Sequence, residues 1–283
     1  MDIAIEAPDW RALDQEARDR AFNNAAAVAD SAEILRGWAE RSAALRAQCA
    51  LTLDMPYGPG PRNRIDFLKA GENAPTLVFI HGGYWQMRAK EDFTFCAAGP
   101  LAHGINVALM GYTLAPDATL DEICQEIRTG LRHLTRELPA LGGDVDRVFL
   151  SGWSAGGHLA AMNLDHPLIK GGLAISGVFD LEPMRHIYIN AKLGLDEAAV
   201  ARNSPTLLPG RGEVPLILVA GSAELPLMRK QTADFAAHRT AQGLPLHYEE
   251  IPDANHFTIL ETMAEPSGRI AQLITALVKG VAL

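Results

Sequence analysis

Short apolar runs punctuated by Gly and Pro alternate with segments of helical period along most of this chain, and no other feature limits the fold as strongly. The runs are Ala50–Met55, Arg64–Leu68, Thr76–Ile80, Asn106–Met110, Arg147–Leu150, Gly172–Ile175, Leu216–Ala220 and His247–Ile251, and each has the character of a β-strand. Between them, Leu120, Ile123, Cys124, Ile127, Leu131, Leu134 and Leu138 recur at helical spacing, as do Ile270, Leu273, Ile274, Leu277 and Val278 near the end. Strands that alternate with helices predict an α/β fold: a mostly parallel sheet of eight strands with helices on both faces. The first two runs are joined only by a turn around Tyr57-Gly-Pro-Gly-Pro61. That is too short for a parallel crossover, so an antiparallel hairpin is expected at one edge. In sheets of this kind, ligands bind beyond the carboxyl ends of the strands.

The first fifty residues differ in texture, being rich in Ala, Arg, Asp and Glu. Asp30 and Glu33 are spaced as a capping pair, and Ile34, Leu35, Trp38 and Leu45 follow at near-helical spacing. Residues 1–48 are therefore expected to form a helical segment on a core spanning 49–283, the whole (1–283) being one domain. This segment can cover the mouth of a site, pair two copies into a homodimer, or close the core; a lid role is the expectation.

Composition narrows the partners. Lys plus Arg number 25 against 34 Asp plus Glu, scattered rather than clustered, so neither nucleic acid nor an anionic membrane is an expected partner. Met1–Trp10 lacks the basic-then-apolar pattern of a signal peptide, and the longest apolar stretches are too short to span a bilayer. Cys49, Cys96 and Cys124 lie far apart and are odd in number, as expected of reduced cytoplasmic thiols.

The chemistry is concentrated in a few segments. Arg147-Val-Phe-Leu-Ser-Gly-Trp-Ser-Ala-Gly-Gly-His158 runs from a strand through Gly152-Trp153-Ser154-Ala155-Gly156 into an Ala-rich helical start. This is the setting of a nucleophile elbow, with Ser154 on a strained turn and glycines two residues to either side because strand and helix must approach closely. Upstream, the strand Thr76–Ile80 ends in His81-Gly82-Gly83, whose backbone N–H groups, with that of Ala155, would form an oxyanion hole.

A serine hydroxyl needs a base, and the base needs an orienting carboxylate. Of nine histidines, His256 is placed best, in a polar loop after the last strand. His81 belongs to the oxyanion turn, His158 lies one helical turn past the serine, and the others fall where packing or surface roles are expected. Glu224 emerges just after the strand Leu216–Ala220, and the order Ser154, Glu224, His256 is the nucleophile, acid, base order of α/β hydrolases. Asp253 and Asp180 are the alternative acids.

With His81-Gly-Gly-Tyr-Trp-Gln86 and Ser151-Gly-Trp-Ser-Ala-Gly-Gly-His-Leu-Ala160 together, the chain resembles the kynurenine formamidase (arylformamidase) family of α/β hydrolases. Asn23-Asn24, Tyr57-Gly-Pro-Gly-Pro-Arg-Asn-Arg64, Ser176-Gly-Val-Phe-Asp-Leu-Glu-Pro183 and Asn203-Ser-Pro205 are also similar to family segments, so the likeness spans most of the chain. The resemblance implies hydrolysis of N-formyl-L-kynurenine to L-kynurenine and formate, without metal or organic cofactor, and puts the family's triad on Ser154, Glu224 and His256. The chain departs from the pattern at Ala25, where the family often has Arg, at Leu227-Met228 in place of Glu-Phe, and at Glu224 where some members have Asp.

Tyr84, Trp85 and Trp153 are expected to line the amine side of the site by stacking on an aryl ring. The small-molecule substrate is then an aryl formamide, or, in the alternative reading as a broad carboxylesterase or amidase, a small acyl ester or amide. A catalytically dead binding module would be expected to lack nucleophile, base or oxyanion glycines, and all are present here.

Overall fold

Strands at the centre of this protein, such as Ala74–Ile80, Asn106–Met110 and Leu216–Gly221, are buried on every residue because the sheet is covered on both sides. The computed structural model describes residues 5–49, 51–209 and 212–281. Ala50, expected to open the first strand, lies outside the described residues, as do Met1 to Ala4 of the N-terminal stretch. The sheet has eight strands: β1 (Leu51–Pro56), β2 (Arg64–Leu68), β3 (Ala74–Ile80), β4 (Asn106–Met110), β5 (Gly143–Trp153), β6 (Ile169–Ile175), β7 (Leu216–Gly221) and β8 (Leu246–Ile251). Their spatial order is β1-β2-β4-β3-β5-β6-β7-β8. The expected edge hairpin is present, β2 also pairs antiparallel with β4, and every other neighbouring pair is parallel.

Alternation along β3 divides the core. Val78 and Ile80 face one apolar cluster, Leu77 and Phe79 the other. In chain order the helices used below are α1 (Gln15–Ala21), α2 (Asn24–Ala27), α3 (Ser31–Arg46), α4 (Leu120–Leu141), α5 (Ala155–Met162), α6 (Pro226–Ala241) and α7 (Arg269–Lys279). Helices α4, α5 and α6 bury side chains in the first cluster, and α3 and α7 in the second. The longest of them, α4, buries Leu120, Ile123, Ile127, Leu131, Leu134 and Leu138 along one stripe, each contributing about 1.5–3 kcal/mol relative to exposure. Thr119 and Glu122 cap its start reciprocally, and Gly142 ends it at φ +85°.

Three expectations are corrected. β5 starts at Gly143 rather than Arg147, and β6 at Ile169 rather than Gly172. The extra residues include exposed Asp146, Arg147 and Lys170, so apolar runs understate both strands. Asp30 precedes α3 as anticipated, but its carboxylate makes no capping hydrogen bond. Its backbone lies at φ −97°, ψ 13° instead of the extended conformation from which a cap reaches the first-turn N–H groups.

The N-terminal segment is bound to the core by Trp38 of α3, which is fully buried, stacks on Phe95 and meets Trp153 edge-on. Its indole donates to Glu261 Oε1 at 2.8 Å, and Arg41 grips the same carboxylate with two bonds of 2.7 Å. Among the described residues no helix is long and apolar enough to cross a membrane.

Candidate active site

Ser154 sits between the end of β5 and the start of α5 at φ +56°, ψ −119°, a conformation that L-residues rarely adopt. The flanking glycines permit it. A Cβ on Gly152 would stand 2.2 Å from the Gly156 carbonyl oxygen, and one on Gly156 would stand 2.0 Å from that of Ile80. Strand, turn and helix therefore close only without side chains at these two positions.

The turn after β3 lies against this elbow. A Cβ on Gly82 would be 2.6 Å from the Trp153 ring and 3.0 Å from Ser154 Cβ. Gly83 is at φ +110°, and Tyr84, Trp85 and Arg88 also have positive φ. Among the described residues, no acceptor takes up the N–H groups of Gly82, Gly83 or Ala155. His81 steers this turn: its Nδ1–H donates to the Gly82 carbonyl at 2.8 Å. That oxygen and the Gly83 N–H occupy opposite sides of one planar peptide, so fixing the first aims the second.

His81 is stacked on Tyr112 with ring centroids 4.4 Å apart, and burial pushes its pKa down to about 3. The unfolded chain, with an ordinary imidazole near 6.5, then binds more protons between those values. The contribution of this group to stability is full above about pH 6.5 and falls as the pH drops toward 3, by on the order of 5 kcal/mol across the window. In urea unfolding between pH 6.5 and 4, His81→Gln is expected to show a flatter acid limb than the wild type. Equal slopes would remove His81 from this role.

Glu224 follows β7 in a tight turn, and three donors hold its carboxylate. Oε1 accepts from the Gly221 N–H at 2.7 Å and from the Ser176 hydroxyl, while Oε2 accepts the Nδ1–H of His256 at 2.8 Å. Both carboxylate and imidazole are buried. The Trp153 indole donates to the His256 carbonyl at 2.8 Å, and its ring packs 4.9 Å from the imidazole, which fixes the histidine from below. The alternative acids stand elsewhere. Asp253 is exposed, with its N–H bound to Ser222 Oγ, and Asp180 accepts from the Glu182 N–H beside a different cavity.

Ser154 and His256 open on one cavity of about 100 Å³, with Asn23, Asn24, Ala25, Gly83, Tyr84, Met87, Arg88, Trp153, Tyr188 and Phe257 around them. No Ser154–His256 hydrogen bond is formed among the described residues; such bonds commonly tighten only with substrate in place. Of the three aromatic residues expected to stack on substrate, Tyr84 and Trp153 line the cavity. Trp85 does not: it is 0% exposed, and its indole donates to His158 Nδ1 at 3.3 Å, because its left-handed backbone turns the ring into the core. Tyr84 is tethered to the N-terminal segment, donating to the Phe22 carbonyl at 2.6 Å. That segment supplies a cavity wall through Asn23, Asn24 and Ala25.

Sequence reasoning missed Ser176, Met87, Arg88 and Tyr188. For Ser176 a signal existed, since a Ser-Gly at the end of β6 stands beside the turn that bears Glu224. Larger clefts, such as one of about 630 Å³ bordered by Arg128, Arg132, Arg136 and Lys170, hold neither Ser154 nor His256. One carboxylate cluster among the described residues, Asp54, Asp66 and Glu91, has cation-site spacing. The Lys90 ammonium already sits in it, 2.8 Å from Asp54 and 2.9 Å from Asp66.

Comparison with known proteins places this arrangement. The BD-FAE family profile matches residues 67–164, a span that contains both His81-Gly-Gly and Ser154. A candidate thioesterase from Silicibacter sp. superposes with a TM-score of 0.83 at 28% identity, covering 91% of this chain and 98% of that one. The carboxylesterase EstE1, from a metagenomic library, shares the fold at a TM-score of 0.71 and 20% identity, over 89% of this chain and 97% of its own. The kynurenine formamidase of Salmo salar is 31% identical over 240 residues, 78% of this chain and 80% of that protein. Identity at that level over most of both sequences, on an α/β-hydrolase fold, makes this chain a hydrolase that belongs to the kynurenine formamidase family.

Proposed function

We propose that the protein hydrolyses the formamide of N-formyl-L-kynurenine to L-kynurenine and formate, with Ser154 as nucleophile, His256 as base and Glu224 as its orienting acid. The observation that carries this reading is the buried Glu224–His256 pair opening, with Ser154, on a cavity of about 100 Å³. With Nδ1–H given to Glu224, the Nε2 lone pair of His256 is left to take the Ser154 proton. Ser154 Oγ then bonds to the formyl carbon, and the resulting oxyanion is held by the N–H groups of Gly82, Gly83 and Ala155. The C–N bond breaks as His256 returns the proton to the departing aryl amine. Water, deprotonated by the same imidazole, then releases formate and restores Ser154.

The cavity volume fits this chemistry. A formyl carbon bears only hydrogen and needs little room on the acyl side, while the aryl amine extends to the mouth, where Met87 and Tyr188 are 47% and 45% exposed. That open, apolar rim also suits a small aryl or alkyl ester, which supports a second reading as a broad carboxylesterase. Comparing kcat/KM for N-formyl-L-kynurenine with those for p-nitrophenyl acetate and an N-formyl aliphatic amine separates the two. A value for formylkynurenine at least tenfold above both is expected. Ester cleavage without formylkynurenine turnover would leave the esterase reading in its place.

A further inference from the structure

The cavity that holds Ser154 contains two polar side chains for which the fold has no use. The Asn24 side chain is only 5% exposed, and neither its Oδ1 nor its Nδ2 has a hydrogen-bond partner. Helix capping does not need it, because the neighbouring Asn23 accepts from the Ala26 N–H. A buried amide left unpaired typically costs about 1–3 kcal/mol, and such groups in a folded protein call for an explanation.

Arg88 lines the same cavity, and among the described residues it has no carboxylate partner and no Asp or Glu lines the cavity. Half-buried arginines elsewhere have partners: Arg229 pairs with Glu250, and Arg18, Arg62 and Arg64 donate to backbone carbonyls. Among the described residues, the half-buried Arg88 guanidinium has neither an acid nor a carbonyl as hydrogen-bond partner, in a chain with 34 acids against 25 Lys plus Arg.

The backbone holds this arginine in place at a cost. Arg88 is at φ +75°, at the end of a segment in which Gly83, Tyr84 and Trp85 are also left-handed. Non-glycine residues in such conformations cost of order 1–3 kcal/mol each and persist only where the surroundings over-determine them. Here Tyr84 is tethered to Phe22, Gln86 Nε2 donates to the Ile189 carbonyl at 2.6 Å, the Trp85 carbonyl accepts from the Ala115 N–H at 2.8 Å, and the Arg88 carbonyl accepts from Arg62. Strain of this kind gathers at ligand-holding positions.

We propose that Arg88 and Asn24 recognise a carboxylate on the amine portion of the substrate: the guanidinium supplies the charge and the Asn24 carboxamide hydrogen-bonds to the same end of the molecule. The aryl ring lies between, flanked by the exposed faces of Met87 and Tyr188. Both residues are specificity determinants rather than catalytic residues. The inference rests on the formamidase reading for the identity of the anion, and on Arg88 and Asn24 alone for its charge.

The test compares kcat and KM for N-formyl-L-kynurenine and for 2-formamidoacetophenone, which keeps the aryl ketone and formamide but lacks the amino-acid head. Arg88→Gln is expected to lower the ratio of the two kcat/KM values by about 10–100-fold, mainly through a higher KM for the charged substrate. Arg88→Lys should recover part of it, since charge survives without the planar fork, while Arg136→Gln on the exposed face of α4 should leave the ratio as it is. Asn24→Leu should lower the same ratio and raise Tm, because it removes an unpaired buried amide; a structural role would lower Tm instead. An unchanged ratio in Arg88→Gln, or a lower Tm with an unchanged ratio in Asn24→Leu, would overturn the proposal.

Failure of the formamidase reading is recognised separately, as absence of formylkynurenine turnover in the wild type. The matched pair is then 4-acetoxybenzoate and its methyl ester. A preference for the anion that disappears in Arg88→Gln supports the proposal, and equal rates for the pair in the wild type overturn it.

Discussion

Ser154→Ala is expected to lower kcat by about 10⁵–10⁶-fold, with Tm close to that of the wild type. Only one oxygen is deleted, and the left-handed turn that carries it is imposed by Gly152 and Gly156, so alanine inherits the same backbone. What remains is the oxyanion hole and the binding cavity, which in triad hydrolases retain about 10³–10⁴-fold over water. The measurement is single-turnover release of formate at enzyme excess, set beside thermal unfolding of both proteins. Retention of more than about one per cent of wild-type kcat with an unchanged Tm would mean that Ser154 is not the nucleophile. Among the described residues no other serine lines this cavity, and the covalent mechanism would fall with it.

Glu224→Gln is expected to lower kcat by about 10⁴-fold, comparable in scale to loss of the orienting acid in other triads. The reason lies in the hydrogen bonds around the carboxylate. Gly221 N–H and the Ser176 hydroxyl both donate to Oε1. A glutamine must therefore direct its carbonyl oxygen to those two donors, and its NH₂ group then faces His256 Nδ1. That reverses the bond now made at 2.8 Å, strips the proton from Nδ1 and puts it on Nε2, where the base needs a lone pair. The double variant Ser176→Ala with Glu224→Gln frees one constraint on the amide and should regain part of the loss. A loss below tenfold in Glu224→Gln would show that the histidine does not depend on this carboxylate for its tautomer.

The residues of the proposed triad were legible because each carries a local signature. Gly152 and Gly156 are required by contacts within one turn of Ser154 and with the end of a single neighbouring strand, so their spacing survives as a short motif. The alternation of strand and helix was legible for the same reason: burial of one face imposes its period on consecutive residues. Polar strand ends lie outside that pattern, as at Asp144–Arg147 in β5, which bulge between the Ala74–Gly143 and Thr76–Val148 pairs with β3. Position after a strand favours Glu224 over Asp253, but the pairing itself is tertiary, since the residue that follows β6 contributes the Ser176 hydroxyl and the end of β7 contributes the Gly221 N–H.

By itself, then, the amino-acid order determined the fold class, the edge hairpin and the candidate nucleophile, base and acid. Those follow from sterics and burial over a few residues. Tertiary structure alone decided that β3 and β4 exchange places in the sheet, that Trp85 turns into the core while Tyr84 reaches the cavity, and that Asn24, Arg88 and Tyr188 meet around Ser154. These residues come from segments separated by dozens of positions, and a side chain's direction in a left-handed loop depends on the hydrogen bonds that hold the loop. Neither leaves a periodic trace in the sequence.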